Sequence, residues 1–254
     1  MSAAAFDAQR VAFVPEHTQA CRRLCEDALE VLGFISSASN GTMLCRLGSE
    51  QENLYAIYKP GQHERPLWDF PGELYLREVA AYEVSEFLGW GIVPPTVVRD
   101  GPRGPGSVQL FVPHDPAEHY FTLADDDEWD VPLAQIAVFD MVTNNADRKG
   151  GHVLRQIGQD RLYGIDNGLT FNVEAKLRTV VWDQAHIPIA QEWKADLCRL
   201  QSCLQSGEVI AQRLGELLTT GEVAILARRA EQVASMTAIP DIDPDDRWYP
   251  WPPI

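Results

Sequence analysis

The sequence has no long apolar run, and its cysteines form no recognisable framework. No uninterrupted apolar stretch approaches the roughly 18–20 residues that a membrane-spanning helix needs. The first ten residues lack the basic and then apolar pattern of a secretory signal. The five cysteines are an odd number, and their spacing favours free thiols in a reducing compartment over a disulfide framework or a zinc site. We therefore expect a soluble, cytoplasmic protein without a transmembrane segment.

Positive charge is also scarce. The 254 residues include 21 Lys and Arg against 37 Asp and Glu, which gives a formal net charge of −16. A surface of this sign repels phosphate backbones and anionic membranes, so we expect no nucleic-acid partner. A basic amphipathic face and a cysteine cluster suited to palmitoylation are missing too, which disfavours a lipid substrate. The remaining composition, 45% hydrophobic and 23% charged, is that of an ordinary globular protein with a substantial core.

The first half of the chain has the pattern of an antiparallel sheet with helices. Helical spacing extends from Ala20 to Leu32, and Gly33 follows as a stop signal. A long amphipathic helix is predicted over about 72–88. Short apolar runs separated by turn residues predict strands at 34–37, 42–47, 54–59, 96–99 and 108–112.

The second half is predicted to be mainly helical, with an acidic link at 125–130, a helix at 133–143, two short strands at 152–156 and 162–165, and helices from 190 to 234. A β-rich half followed by a helical half predicts an α+β protein of two lobes, and nucleotides commonly bind in such interlobe clefts. We divide the chain into an N-terminal extension (1–18), an N-lobe (19–112), a C-lobe (113–238) and a Pro- and Trp-rich tail (239–254).

Two acidic residues within 140–171 carry the chemical signal. Asp147 lies in a loop after an apolar helix, and Asp166 ends a short strand just before an Asn-Gly turn, which leaves its carboxylate facing outward. Phosphoryl transfer needs one carboxylate for the attacking hydroxyl, a second for a divalent metal ion, and a cation against the phosphates. The flanking strands can bring both loops to one edge of a cleft, so this stretch predicts a kinase-type site.

The segments NNADRK (144–149) and GIDNGLTF (164–171) resemble the catalytic loop and the metal-binding motif of the phosphatidylinositol 3-/4-kinase-like superfamily. The resemblance is closest to the type II phosphatidylinositol 4-kinases and the HipA-like kinases, and the whole chain resembles an actinobacterial family placed in that superfamily. It covers most of residues 33–235 and is sharp at 140–171. It implies a protein-kinase-like fold, with an antiparallel sheet and a helix in the N-lobe and a mainly helical C-lobe, and an ATP-dependent phosphotransferase activity.

The resemblance also implies a role for each matching residue of the C-lobe. Asp147 corresponds to the catalytic base, and Arg148 would brace its loop. Lys149 corresponds to a lysine that contacts the transferred phosphate. Asp166 corresponds to the ligand of Mg²⁺.

In the N-lobe the resemblance implies a nucleotide site. Lys59, at the end of the third strand, corresponds to the lysine that grips the α- and β-phosphates of ATP. Glu78, in the long helix, corresponds to its ion-pair partner. Two further groups are implied, a phosphate-covering turn of Ser39, Asn40 and Gly41, and an adenine-facing hinge that includes Gln109, Phe111 and Val112.

One position departs from the family pattern. The family usually has an Asn as second metal ligand shortly after the catalytic Asp, whereas this chain has His152. Imidazole is a poor ligand for Mg²⁺, which prefers oxygen, and it suits Mn²⁺ or Zn²⁺ better. Three alternatives are open: Mn²⁺ held with His152 as a metal ligand, an amide such as Asn145 or Asn167 in its place, or slow or absent turnover.

Three functions are compatible with the sequence. The first is an ATP-dependent kinase that uses Mg²⁺ or Mn²⁺ and whose acceptor is a protein Ser/Thr or a small molecule rather than a lipid. The second is a nucleotide-binding pseudokinase that acts as a scaffold or regulator, which His152 motivates. The third is a non-kinase interaction protein, supported by a helical second half and by tail aromatics that either pack on the protein itself or contact a partner: Trp248, Tyr249 and Trp251.

Trp68 and Phe70 either form a substrate platform or pack on the N-lobe.

Overall fold

A five-stranded antiparallel sheet with helices forms the first half of the molecule, in a computed structural model that describes residues 17–35, 41–48, 54–241 and 248–254. The elements are α1 (His17–Glu26), β1 (Leu29–Phe34), β2 (Met43–Leu47), β3 (Leu54–Pro60), α2 (Leu74–Leu88), β4 (Thr96–Gly101) and β5 (Gly104–Leu110). The strand order in the sheet is β1-β2-β3-β5-β4.

The pleat of β3 decides which side chains reach the space below the sheet. Successive side chains of a strand point to opposite faces, and in β3 every second residue is buried. Ala56 and Tyr58 therefore belong to the apolar cluster between the sheet and α1. Ile57 and Lys59 face the other way and line a cleft.

The first helix is shorter than its periodicity predicts. α1 ends at Glu26, and residues 29–34 form β1, which pairs with β2. Leu29 and Val31 are two positions apart and both pack on the sheet cluster, which is the spacing of a strand. In the sequence, an apolar run this short fits a strand and a helix equally well. Gly33 does not stop a helix, because it lies at a shift in strand register, where the backbone forms a bulge.

Helices dominate the second half. Its elements are α3 (Tyr120–Leu123), α4 (Asp130–Thr143), β6 (Val153–Arg155), β7 (Leu162–Gly164), α5 (Gln191–Ser206), α6 (Val209–Gly215) and α7 (Thr220–Ser235). β6 and β7 pair as an antiparallel hairpin. The order of elements confirms the predicted α+β class. Within the described ranges, none of the helices combines the length and the apolar character that crossing a bilayer requires.

Helix α2 connects the two halves. Its buried residues Val79, Ala80 and Val84 share one large apolar cluster with α4, α5 and α7. The same helix also lies against β4 and β5. Because α2 is buried on most of its surface, its position relative to the sheet is constrained, and Glu78 is held between the sheet and the helical half.

Candidate active site

A cleft of about 600 Å³ lies between the sheet and the helical half. Its walls come from β3, α2, the segment after β5, and the loops that precede β6 and follow β7. Volumes of this size are typical of small-molecule sites. The cleft brings together most of the predicted site residues: Lys59, Glu78, Gln109, Phe111, Val112, Asp147, Lys149, His152 and Asp166.

Lys59 links both lobes through its ammonium group. Its Nζ donates a hydrogen bond to Glu78 Oε1 and lies 2.7 Å from Asp166 Oδ1. Burial acts to lower the pKa of Lys59, but the Asp166 and Glu78 carboxylates outweigh it and raise that pKa. Lys59 in turn holds the pKa of Asp166 well below its usual range. At neutral pH the cleft thus contains a fixed cation beside a fixed carboxylate.

The turn after β7 presents Asp166 to the cleft. Asp166 has a φ of 58°, a left-handed conformation that Asp and Asn adopt more readily than most residues. The next residue anchors the turn, because Asn167 N donates to Glu78 Oε2 at 2.9 Å and Asn167 Nδ2 donates to Gly164 O at 3.0 Å. The Asp166 side chain remains 49% exposed, so it is open to a ligand.

The loop after α4 carries Asp147. α4 ends at Thr143, the next residue Asn144 is left-handed, and Asn145 Oδ1 then accepts the Asp147 N–H at 2.9 Å. Burial raises the pKa of Asp147 to about 6, while Lys149 opposes the rise and Asp166 adds to it. Lys149 Nζ lies 3.5 Å from Asp147 Oδ2. A carboxyl group with a pKa close to neutrality is suited to accept a proton.

Arg148 is fully buried behind the cleft and holds the two loops together. Its guanidinium donates to Asp140 Oδ1 at 2.9 Å, to Asn167 Oδ1 at 2.6 Å and to Ile165 O. The hydroxyl of Thr179 donates to the other Asp140 oxygen at 3.0 Å. Sequence reasoning missed Asp140, although a single acid inside an otherwise apolar helix was a signal for a buried pair.

His152 faces Asp166 across the cleft floor. Its Nε2 lies 3.3 Å from Asp166 Oδ2, and its Nδ1 lies 3.0 Å from Asp147 O. Burial lowers the pKa of His152 to about 4, against the effect of Asp166, so the imidazole is neutral at neutral pH. A neutral ring is the form that binds metal, and Nε2 is the ring nitrogen that faces Asp166.

The two amides considered as alternatives to His152 already have partners. Asn145 Oδ1 accepts from Asp147 N, and Asn167 Oδ1 accepts from the buried Arg148. Neither of them lines the cleft, whereas His152 does. The geometry therefore favours His152 over an amide as the partner of Asp166.

The end of the cleft next to β5 is apolar. Val112, Leu154 and Tyr163 form a small cluster with Ile165 packed against it. The chain leaves β5 with Phe111 N donating to Tyr55 O at 3.0 Å. The side chain of Gln109, which also lines the cleft, donates to Thr96 Oγ1 at 2.9 Å. A planar apolar ring fits such a surface.

The remaining predicted residues are not seen at the cleft for different reasons. Ser39 and Asn40 are outside the described residues, and Gly41 does not line the cleft but lies close to His63. Phe70 is buried and packs against Leu74 at the N-terminal end of α2, which agrees with a packing role. Trp68 is 93% exposed, and Lys176 Nζ lies 5.4 Å from its ring centroid.

The sequence has a curated relative across nearly its whole length, although no protein-family model matches it. Protein Rv2133c of Mycobacterium tuberculosis (strain ATCC 25618 / H37Rv) is 38% identical to this chain in an alignment 263 positions long. The alignment covers 90% of this chain and 93% of that protein. The chain belongs to the family of Rv2133c.

Solved kinase structures share the fold. The Golgi casein kinase, crystallised with Mn and ADP bound, matches with a TM-score of 0.56 and 13% identity over 91% of this chain and 80% of its own. Hydra Fam20, solved with sugar, has the same TM-score and identity over 90% of each chain. At such low identity the likeness concerns the fold alone, and it confirms the predicted two-lobe, kinase-like architecture. The narrower resemblance to phosphatidylinositol and HipA-like kinases stays a prediction.

Proposed function

We propose that the protein is an ATP-dependent kinase. The convergence of Lys59, Asp147 and Asp166 on one interlobe cleft supports this function most strongly. These residues provide the cation, the base and the metal-binding carboxylate that phosphoryl transfer requires, and they come from distant parts of the chain. The kinase-like fold is in line with this proposal, as is the binding of Mn and ADP by the Golgi casein kinase.

Each side chain has a defined task in this proposal. Asp147 accepts the proton of the acceptor hydroxyl while that oxygen bonds to the γ-phosphorus and ADP leaves with the bridging oxygen. Lys149, beside Asp147, stabilises negative charge on the transferred group. Lys59, held by Glu78, neutralises the α- and β-phosphates, and Arg148 keeps the two loops in register.

Asp166 and His152 would hold the divalent metal ion. Within the described part of the chain, no three His, Cys, Asp or Glu residues form a metal site by themselves. Two protein donors fit an ion that the nucleotide phosphates and water complete, as is common for kinase-type sites. The ion, when bound, neutralises charge on the β- and γ-phosphates. The imidazole donor favours Mn²⁺ over Mg²⁺.

The proposed kinase belongs to the phosphatidylinositol 3-/4-kinase-like superfamily. Its proposed acceptor is a protein Ser/Thr or a small molecule. A net charge of −16 disfavours binding to an anionic membrane surface, so a lipid acceptor is less favoured than a protein or a small molecule. All five cysteines are free thiols, which supports a cytoplasmic location.

A pseudokinase is the second candidate, and His152 is the observation that favours it. The His152 pKa of about 4 and its contact with Asp166 fit a metal site. An imidazole is, however, a poorer ligand for Mg²⁺ than an oxygen, and this is compatible with a protein that binds nucleotide but turns it over slowly.

The replacement Asp147→Asn tests the kinase proposal. It preserves shape but removes the base, so ATP turnover with Mn²⁺ or Mg²⁺ should fall by about 100-fold or more, while ATP affinity changes by at most a few-fold. The exposed Asp160→Asn variant makes the same chemical change away from the cleft and should keep the activity of the unmodified protein.

The outcomes separate the candidates. Equal turnover in the unmodified, Asp147→Asn and Asp160→Asn proteins would show that catalysis does not occur at this site. ATP binding without turnover in the unmodified protein would favour the pseudokinase. Absence of ATP binding with either metal would contradict both.

A further inference from the structure

Residues 248–254, called here the tail segment, lie against the loop that carries the proposed catalytic residues. Pro253 O accepts a hydrogen bond from Gly150 N at 2.7 Å. Gly150 directly follows Lys149 and begins the tight turn Gly150–His152. The tail segment therefore contacts the backbone between the base and the proposed metal ligand.

The contact at Gly150 is closely fitted. A Cβ atom at this position would lie 3.0 Å from the ring of Phe121 and 3.4 Å from Pro253 O. The absence of a side chain thus allows the backbone of the turn to approach both Phe121 and the tail segment. A loop held this tightly cannot shift without breaking the contact.

The other end of the tail segment is attached behind the same loop. Trp248 O accepts from Thr179 N at 3.0 Å and from Trp182 Nε1 at 3.1 Å. The rings of Trp182 and Trp248 pack edge to face, with centroids 5.7 Å apart. Thr179 is the residue whose hydroxyl bonds to Asp140, and Asp140 is the buried partner of Arg148.

The tail segment does not occupy the cleft, because none of residues 248–254 lines it. Pro250 is buried, whereas Trp251 is 88% exposed. The segment is therefore anchored at both ends, and two aromatic side chains between the anchors are exposed, Tyr249 and Trp251.

We propose that the tail segment is a positioning element of the active site. It holds the Gly150–His152 turn through Pro253 and the Thr179 backbone through Trp248, from outside the cleft and without touching ATP. Its effect on activity rests on the kinase function proposed above. Misplacing a catalytic group by about 1 Å can lower a rate by about 100-fold, so a contact of this kind is able to control turnover.

Deletion of residues 252–254 tests the Pro253 contact directly. The Gly150 amide should exchange its hydrogen about tenfold faster, the scale expected for the loss of one backbone hydrogen bond, while the Thr179 amide stays protected by Trp248 O. Turnover should fall by about tenfold or more at saturating ATP, with the KM for ATP changed by less than about twofold. The matched control is Trp251→Ala, which alters an exposed side chain of the same segment and should change none of these.

A second pair of variants addresses the other anchor and covers the case in which the deletion does not fold. Trp248→Ala removes the ring that packs on Trp182 and should accelerate exchange at both Gly150 and Thr179, with lowered turnover. Trp248→Phe keeps an aromatic edge and should restore much of the protection and the rate.

Unchanged amide exchange at Gly150 and Thr179 in these variants would overturn the proposal, and so would full turnover despite faster exchange. Hydrogen exchange needs no catalysis. If the unmodified protein shows no turnover, the kinase function fails, and amide exchange at Gly150 and Thr179 still decides whether the tail segment holds this loop.

Discussion

At the scale of single residues, two aspartates in one cleft have opposite surroundings. Lys59 holds the pKa of Asp166 below its usual range, whereas burial raises that of Asp147 to about 6. Carboxyl groups whose pKa values are separated by their environment commonly take different chemical roles. The proposed division into metal ligand and base therefore follows from the neighbours of each aspartate, because the side chains themselves are identical.

His152→Asn should change the metal preference of the protein. The substitution replaces a nitrogen donor with an oxygen donor, so we expect the ratio of activity with Mn²⁺ to activity with Mg²⁺ to fall by about tenfold. The measurement is ATP turnover, together with ATP-dependent thermal stabilisation, across a titration of each metal.

His152→Ala serves as the control for this substitution. It removes the nitrogen donor without supplying an oxygen, so it should weaken the response to both metals. A ratio that stays the same in the unmodified protein and in the His152→Asn and His152→Ala variants would mean that His152 does not touch the metal ion.

At the scale of elements, the end of β3 is held by an unusually close contact with β5. Gly106 of β5 pairs with Pro60, and a Cβ at Gly106 would lie 2.4 Å from Lys59 O and 2.8 Å from Pro60 Cα. These neighbours are backbone atoms, which cannot swing aside as a side chain would. Glycine at this position therefore lets β5 approach the strand that carries Lys59.

Gly106→Ala should both destabilise the protein and weaken ATP binding. The added methyl group pushes β5 from the end of β3, which costs about 1–3 kcal/mol, the usual range for overpacking, and displaces Lys59 from the phosphates. Denaturant unfolding and ATP affinity measure the two effects.

Gly33→Ala in β1 is the matched control, because nothing lies within 4 Å of a Cβ at that position. It should leave ATP affinity unchanged. Identical behaviour of the two variants would contradict the role assigned to the β3–β5 contact.

At the scale of the whole molecule, the cleft is built from both lobes, so the proposed nucleotide would contact both. A ligand that binds only the folded protein, at 100 times its Kd, adds about 2.7 kcal/mol to the free energy of unfolding. For a protein of this size that corresponds to a rise in Tm of roughly 5–10 °C. We expect such a rise with ATP and Mn²⁺.

Lys59→Met should remove most of this stabilisation, because it deletes the cation between the lobes. Lys194→Met, on α5 away from the cleft, should retain it. If ATP and Mn²⁺ raise the Tm of both variants equally, the nucleotide does not bind against Lys59.

The sequence by itself determined the features that depend on chain neighbours. Short apolar runs between turn residues predicted β2 and β3, with Lys59 at the end of β3, and the turn residues around Asp147 and Asp166 marked the two loops. These patterns are local, since the pleat of a strand and the preferences of a turn are set within a few residues. The α+β order of elements followed from them.

The tertiary structure alone decided which distant groups meet. The family resemblance had named Glu78 as the partner of Lys59, but α2 carries several glutamates, and it is packing that places Glu78 on Lys59 while Glu83 pairs with Arg213. The change from helix to strand after Glu26 and the contact of Pro253 with Gly150 likewise depend on partners far along the chain. Burial and long-range hydrogen bonds are set by the packing of the whole fold, so no short stretch of sequence encodes them alone.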